Sequence, residues 1–296
     1  MKNILLYTLI FIGGIGLVRA QDVPPTHVLE NYTLNAGGSA SYIATQSITL
    51  KPNTWIKAGS TFSAKIVSDA YITPSLSSNE NYVFTRSFQK GMTSTSGIIE
   101  NKDVIEQVTY FDGLGRAMQQ IAIKATPGKK DIITHIDYDA FGRQALEYLP
   151  YGTGQNKGQY NASALSQTHN FYNAAKYENT TNPYSEKVYE ASPLNRVLEI
   201  GAPGASWKAN PSSDADHTIK FEYATNGSNE VRNYGVSLSS TYVPTLTNSP
   251  AYYAANTLYV SVTKDENWKP EDGNNHTTRE YKDKQGRVVL KRTYNN

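Results

Sequence analysis

The residues best suited to chemistry are carboxylates and guanidinium groups that recur at one spacing. Asp112 stands three residues before Gly115 and four before Arg116 in "DGLGR"; Asp139, Gly142 and Arg143 repeat this in "DAFGR", and Asp283, Gly286 and Arg287 in "DKQGR". A weaker copy, "YEASPLNRVLEI", puts Asn195 in the place of the glycine before Arg196 and lengthens the turn by two residues. A carboxylate beside an arginine could do acid–base work or form part of a ligand site. A catalytic carboxylate, however, is needed once per site, and this one comes once per repeat. Turn chemistry accounts for every fixed position. An Asp at the first position accepts backbone N–H bonds from residues ahead of it, and a Gly or Asn at the fourth takes the left-handed conformation that starts a bulged return. Tyr110, Tyr138 and Tyr281 lie just before the turns, and the arginines open the returning strand, where each can stack on a ring or pair with a carboxylate. We therefore expect these residues to build a ladder of hairpins, with no catalytic, cofactor-binding or metal-binding role.

Other reactive groups are scattered. His27, His135, His169, His217 and His276 include no pair at the helical spacing that binds zinc. "DADH" (214–217) and "EDGNNH" (271–276) offer oxygen ligands without the spacing of a calcium loop, and read as solvated turns. "GAPGAS" (201–206) lacks the Lys-Ser/Thr of a phosphate loop, and no Gly-x-Ser-x-Gly elbow occurs.

The elements that must position these turns read as strands. "IITHIDY" alternates Ile132, Thr134, Ile136 and Tyr138 against Ile133, His135 and Asp137, and "NYVFTRSF" alternates Tyr82, Phe84 and Arg86 against Val83 and Thr85. Upstream, "SITLKPNTWIKAGSTFSAKIV" sets Ile48 and Leu50, then Phe62, Ala64 and Ile66, on strand faces separated by Pro-Asn and Ala-Gly corners. Runs this short cannot each bury a face alone, so residues 36–75 are expected to form a small, stacked or solenoid-like β-module. Residues 21–35 read as a polar leader arm and 68–80 as a Ser-rich linker. One helix is expected, within "SALSQTHNFYNAAKY" (163–177).

The first twenty residues place Lys2 before an apolar run from Ile4 to Val18 and end on Val-Arg-Ala, the layout of a signal peptide cut after Ala20. The run is shorter than the roughly 20 apolar residues of a spanning helix. Removing residues 1–20 takes Lys2 and Arg19 from 28 basic side chains and leaves them equal in number to the 26 acidic ones. A neutral chain without a basic cluster is not expected to bind nucleic acid. With no cysteine the chain has no disulfide, thiolate metal site, cysteine nucleophile or N-terminal lipid anchor, and must hold together by packing. Twenty-two tyrosines with 18% charged residues favour strands and turns over helices.

The Tyr-Asp-x-x-Gly-Arg turns resemble the YD repeats of the Rhs family. "YFDGLGR" and "YKDKQGR" insert one residue that "YDAFGR" lacks. The wider run "NYVFTRSFQKGMT", "YFDGLGRAMQQIAIKA", "YDAFGRQALEYLPY" and "EASPLNRVLEIGAPG", on to "REYKDKQGRVVLKRTYN", is similar to the N-terminal region of Bacteroidetes Rhs-repeat proteins, the domain of unknown function DUF6443, over residues 81–296. The resemblance implies a mostly β protein in which a small N-terminal β-module is followed by YD-type antiparallel hairpins. It further implies an exported, non-enzymatic structural part, the opening section of a spiralled shell. Since the sequence ends soon after "KDKQGRVVLKRTYNN", a short or truncated form without toxin domain is expected. The partner would be the remainder of such a shell. An alternative is a secreted or cell-surface module that holds glycan or protein through tyrosine-rich strand faces. No cofactor is expected in either case.

Overall fold

A computed structural model describes residues 8–11, 23–214 and 216–295. The protein is mostly β, with one α-helix among the described residues, and divides into two compact units: residues 1–136 with 150–167, and residues 137–149 with 168–296. The signal-peptide reading falls largely outside the described residues. Of that segment only β1 (Thr8–Phe11) is described, antiparallel to β8 (Asn81–Phe88).

The first unit opens with six short strands: β2 (Thr26–Leu29), β3 (Thr33–Leu34), β4 (Ser39–Ala44), β5 (Ser47–Leu50), β6 (Trp55–Ile56) and β7 (Thr61–Ile66). They pair in parallel, β2 with β5, β3 with β6 and β4 with β7, as two stacked coils of a three-sided solenoid. The segment expected to be a leader arm is thus part of the module, since β2 and β3 are two sides of its first coil. The corners stack as well. Asn53 Nδ2 donates to Asn31 Oδ1 at 3.2 Å, both asparagines with positive φ, and the Gly37 N–H donates to the Gly59 carbonyl at 2.8 Å. Leu29, Leu34, Ala44 and Val67 form the buried seam. Leu50 and Ile66 of the second coil remain half exposed, as expected of a solenoid coil with nothing stacked on it.

The rest of this unit is a six-stranded antiparallel sheet in the order β1-β8-β9-β10-β11-β13, with β9 (Val104–Phe111), β10 (Ala117–Ile123), β11 (Ile132–His135) and β13 (Tyr151–Gly152). In β9 the alternation is strict: Val104, Glu106, Val108 and Tyr110 are buried, so a glutamate sits on the core face. Gly158, at φ +75°, lies against the sheet where a Cβ would meet Ile123 Cδ1 at 2.5 Å. Only glycine fits there. The helix α1 (Ala164–Tyr172) falls within the expected segment.

The second unit holds a seven-stranded antiparallel sheet: β12 (Leu146–Tyr148), β14 (Tyr184–Tyr189), β15 (Val197–Gly201), β16 (Ile219–Thr225), β19 (Tyr259–Lys264), β20 (Thr277–Lys282) and β21 (Val288–Tyr294), in that spatial order. Val231, Leu258, Val260, Val262 and Tyr281 pack as its core cluster. Between β16 and β19 the chain makes a separate two-stranded hairpin, β17 (Arg232–Leu238) with β18 (Pro244–Tyr252).

Candidate functional site

The repeated turns share one bond set. Asp112 Oδ1 accepts the N–H of Leu114 at 2.9 Å and of Arg116 at 2.8 Å, and its Oδ2 accepts Arg116 Nε at 2.8 Å. Asp139 does the same for Phe141 and Arg143, with Arg143 Nε at 2.7 Å, and Asp283 for Gln285 and Arg287, again with Nε at 2.7 Å. Gly115, Gly142 and Gly286 take φ of +78°, +76° and +80°. Both oxygens of each aspartate are therefore occupied by their own turn, and each arginine pairs with that carboxylate. The arrangement holds a turn closed.

In the fourth copy Asn195 has φ +53° as the glycine substitute, and the acidic partner is Glu190. Its Oε1 accepts the Arg196 N–H at 3.2 Å and its Oε2 accepts Arg196 Nε at 2.9 Å. The longer glutamate spans the two extra turn residues. Sequence reasoning missed Glu190, although an acidic residue opening the longer turn was there to find. It also missed two copies without a carboxylate. Thr126 Oγ1 accepts the Lys130 N–H at 2.8 Å in the β10–β11 turn, where Lys129 has φ +55°. Ser239 Oγ accepts the N–H groups of Thr241 at 3.3 Å and Val243 at 3.0 Å in the β17–β18 turn, where Tyr242 has φ +60°.

The second copy corrects the expectation of a hairpin at every turn. Asp139, Gly142 and Arg143 form the same clamp, but the strands on either side, β11 and β12, belong to different sheets. A rung of the expected ladder joins two of the turns: Arg143 reaches Asn195 Oδ1 at 2.8 Å and lies over the Tyr189 ring at 4.3 Å, so that the second and fourth turns meet. Arg196 in turn covers the Tyr223 ring at 4.7 Å. Asp283, in the same unit, makes its bonds within its own turn.

The arginines set the acidity of the clamps. The backbone and side-chain N–H groups of Arg116 and of Arg143 hold Asp112 and Asp139 below the usual carboxylate range. At Asp283 desolvation pushes upward and is outweighed by the bonds from Arg287. The Arg196 side chain draws Glu190 down to about 2. Carboxylates kept ionised and fully bonded in this way are poor proton donors.

Of the tyrosines before the turns, Tyr110 and Tyr281 are core pillars, while Tyr138 is only partly buried. Tyr110 is fully buried, donates to the Gly158 carbonyl at 2.7 Å and accepts the Ser77 N–H at 3.1 Å. Tyr281, also fully buried, donates to Glu230 Oε1 at 2.5 Å.

Two buried charged clusters lie outside the repeats. In the first unit, Glu106 Oε1 accepts both the Tyr71 hydroxyl at 2.6 Å and Arg86 Nε at 2.8 Å, while Lys124 Nζ stands 4.5 Å from the Tyr71 ring centroid. Tyr71, Glu106 and Lys124 line a cavity of about 260 Å³ together with Val104, Ile123 and Lys129. Burial, followed by the Glu106 charge, raises the Tyr71 hydroxyl, which keeps its proton and pins residues 69–72 to the sheet. In the second unit, Thr218 Oγ1 donates to Glu199 Oε1 at 2.8 Å, and Lys220 bridges Glu199 at 3.3 Å and Asp216 at 2.6 Å. Asp216, from the "DADH" stretch, is thus bound inside the protein. Among the described residues no group of three or more His, Asp or Glu is placed to hold a metal ion.

A mostly β protein with acid-clamped turns is the class that this geometry defines. Residues 84–221 match the family model of DUF6443, a domain of unknown function. The chain therefore carries a DUF6443 domain, from β8 to the start of β16. The resemblance drawn from sequence ran over 81–296; the β17–β18 hairpin and β19 to β21 lie beyond the matched residues. A comparison with curated proteins gives no match.

Proposed function

We propose that this chain is an exported, non-enzymatic structural protein, the opening section of a shell of the Rhs/YD-repeat kind. The observation that carries the reading is the clamp itself. The same carboxylate, left-handed residue and arginine close four turns across both units, which is how a scaffold is built from repeats and not how a single reaction centre is. The sheet order supports extension too: β21 is the last strand in its sheet, so its outer edge is able to pair with a further strand.

The test is to fractionate cells of the native host, probe envelope and medium with an antibody to residues after Ala20, and determine the intact mass and partners of the species found. Recovery in an exported fraction, continuous with or bound to a larger β-rich polypeptide, is the expected result. A free monomer confined to the cytoplasm, or one that turns over a substrate and loses this activity on Asp139→Asn, overturns the reading.

A further inference from the structure

The β17–β18 hairpin has a surface chemistry unlike the rest of the chain. Between Arg232 and Lys264 no residue is charged, in a protein with 18% charged residues. All residues from 232 to 247 are exposed. Along β17 the side chains alternate, with Tyr234, Val236 and Leu238 against Asn233, Gly235 and Ser237. The pairing of Val236 with Leu246 and of Leu238 with Pro244 continues the apolar stripe onto β18, while Ser237 faces Thr245 and Gly235 faces Thr247. The hairpin is therefore a ribbon with one apolar and one small-polar face. Tyr234, Val236, Leu238 and Leu246 are 63%, 63%, 64% and 56% exposed. At the tip Tyr242 is 84% exposed, in a left-handed conformation that the charged turns give to glycine or asparagine. A two-stranded ribbon is marginal in water, and an apolar face of this kind calls for a cover.

The size and neutrality of the face indicate which cover fits. Seven residues at about 3.3 Å rise and a width of about 10 Å give roughly 230 Å² of face, against about 800 Å² per partner in a stable protein interface. A second copy seated on this face alone is too small an interface. A lipid surface needs no matching area: it takes apolar side chains one by one, favours tyrosine at the boundary and penalises charge. The root of the hairpin carries the matching boundary, where Arg232 lies over the Tyr252 ring at 5.5 Å. A lone hairpin has unpaired edges and cannot cross the hydrocarbon. We propose that the β17–β18 hairpin is a membrane-docking arm, which lays its apolar face and its Tyr242-Val243 tip into the headgroup–acyl boundary of a bilayer. The attraction is apolar, so neutral lipid suffices and salt matters little. This proposal stands independently of the shell reading.

The absence of cysteine makes the test direct. Val243→Cys in the full chain is labelled with an environment-sensitive fluorophore and titrated with phosphatidylcholine vesicles; Leu114→Cys, on the exposed Asp112 turn, is the control. A local probe separates the hairpin from any binding by the apolar N-terminal segment. We expect a blue-shifted, enhanced emission at position 243 only, quenched by brominated lipid and unchanged in 0.5 M salt, with about tenfold weaker vesicle binding at this site when Leu238→Asp is added. Equal responses at 243 and 114, no response at 243, or a response confined to anionic vesicles and abolished by salt would each overturn the proposal. So would a light-scattering mass that doubles at the labelling concentration and returns to monomer in Leu238→Asp, which would assign the face to a second copy.

Discussion

The hairpins β9–β10 and β17–β18 close with the same backbone geometry and have opposite chemistry. In both, the first turn residue receives and gives the same backbone bonds, and its side-chain oxygen accepts N–H groups two and four residues ahead. In β9–β10 that oxygen belongs to Asp112, the left-handed position to Gly115 and the last to Arg116. In β17–β18 they are Ser239, Tyr242 and Val243. The backbone template thus needs only an oxygen acceptor and a residue that tolerates positive φ. Charge is an addition, and in the β17–β18 turn, where it is left out, an apolar tip takes its place. The roots differ as well: β9 buries Val104, Glu106, Val108 and Tyr110, while β17 buries nothing.

The comparison breaks most sharply at the roots. Glu106→Ala leaves Arg86 and Lys124 buried without their carboxylate, and is expected to cost about 3–5 kcal/mol in denaturant unfolding of the first unit. Leu238→Ser, on the exposed ribbon, is expected within about 0.5 kcal/mol of the parent. Equal losses would show that the ribbon is packed after all. Next in size is Tyr110→Phe, which leaves the Gly158 carbonyl and the Ser77 N–H without the hydroxyl and is expected to cost about 1–3 kcal/mol.

How much of this was legible depended on whether the signal was local. The Asp-x-x-Gly-Arg spacing names its own turn, so three clamps were readable outright. The glutamate in the long turn and the serine and threonine of the turns without a carboxylate fill the same role with other residue types, and a search for aspartate passes them by. The solenoid was half readable. Asn31 with Ala36-Gly37 and Asn53 with Ala58-Gly59 mark one repeat of 22 residues, but the first copy lies in a stretch whose prolines and polar residues suggested an arm. Glu106 showed in the sequence only as a charge on an otherwise apolar strand face. Its partners Tyr71, Arg86 and Lys124 come from other segments, and no spacing announces them. The exposure of the ribbon was likewise hidden, because alternation looks the same in a strand that is covered and in one that is not.

A reciprocal pair of substitutions sharpens the comparison at the left-handed position. Gly115→Ala meets open space yet forces a Cβ into positive φ, and is expected to destabilise by about 1 kcal/mol. Tyr242→Gly relieves the same strain and is expected to stabilise its hairpin by somewhat less than about 1 kcal/mol, since glycine gains freedom in the unfolded chain. Urea midpoints that move in opposite directions would confirm that one template underlies both turns. If Tyr242→Gly also abolishes the vesicle response at position 243, the strained residue at the tip is kept for the side chain it brings to docking.

The smallest effect is the most specific to charge. Glu190 has a folded value of about 2 against its ordinary 4.5, and Asp112, Asp139 and Asp283 are depressed as well. A depressed carboxylate stabilises the fold fully above its unfolded value, and that contribution is lost as pH falls through the folded value. Between pH 4.5 and 2, then, the Glu190 turn should loosen, and the aspartate turns as pH falls below the usual carboxylate range, while the Ser239 turn, which has nothing to titrate, should not. Amide exchange corrected for intrinsic rate reads this directly: protection of the Arg196 N–H is expected to fall across that window, protection of the Arg116 N–H to fall on acidification as well, and protection of the Val243 N–H to stay level. If all three fall together, acid acts on the fold as a whole, and the arginine–carboxylate pairs are ornaments on a turn that the backbone already holds.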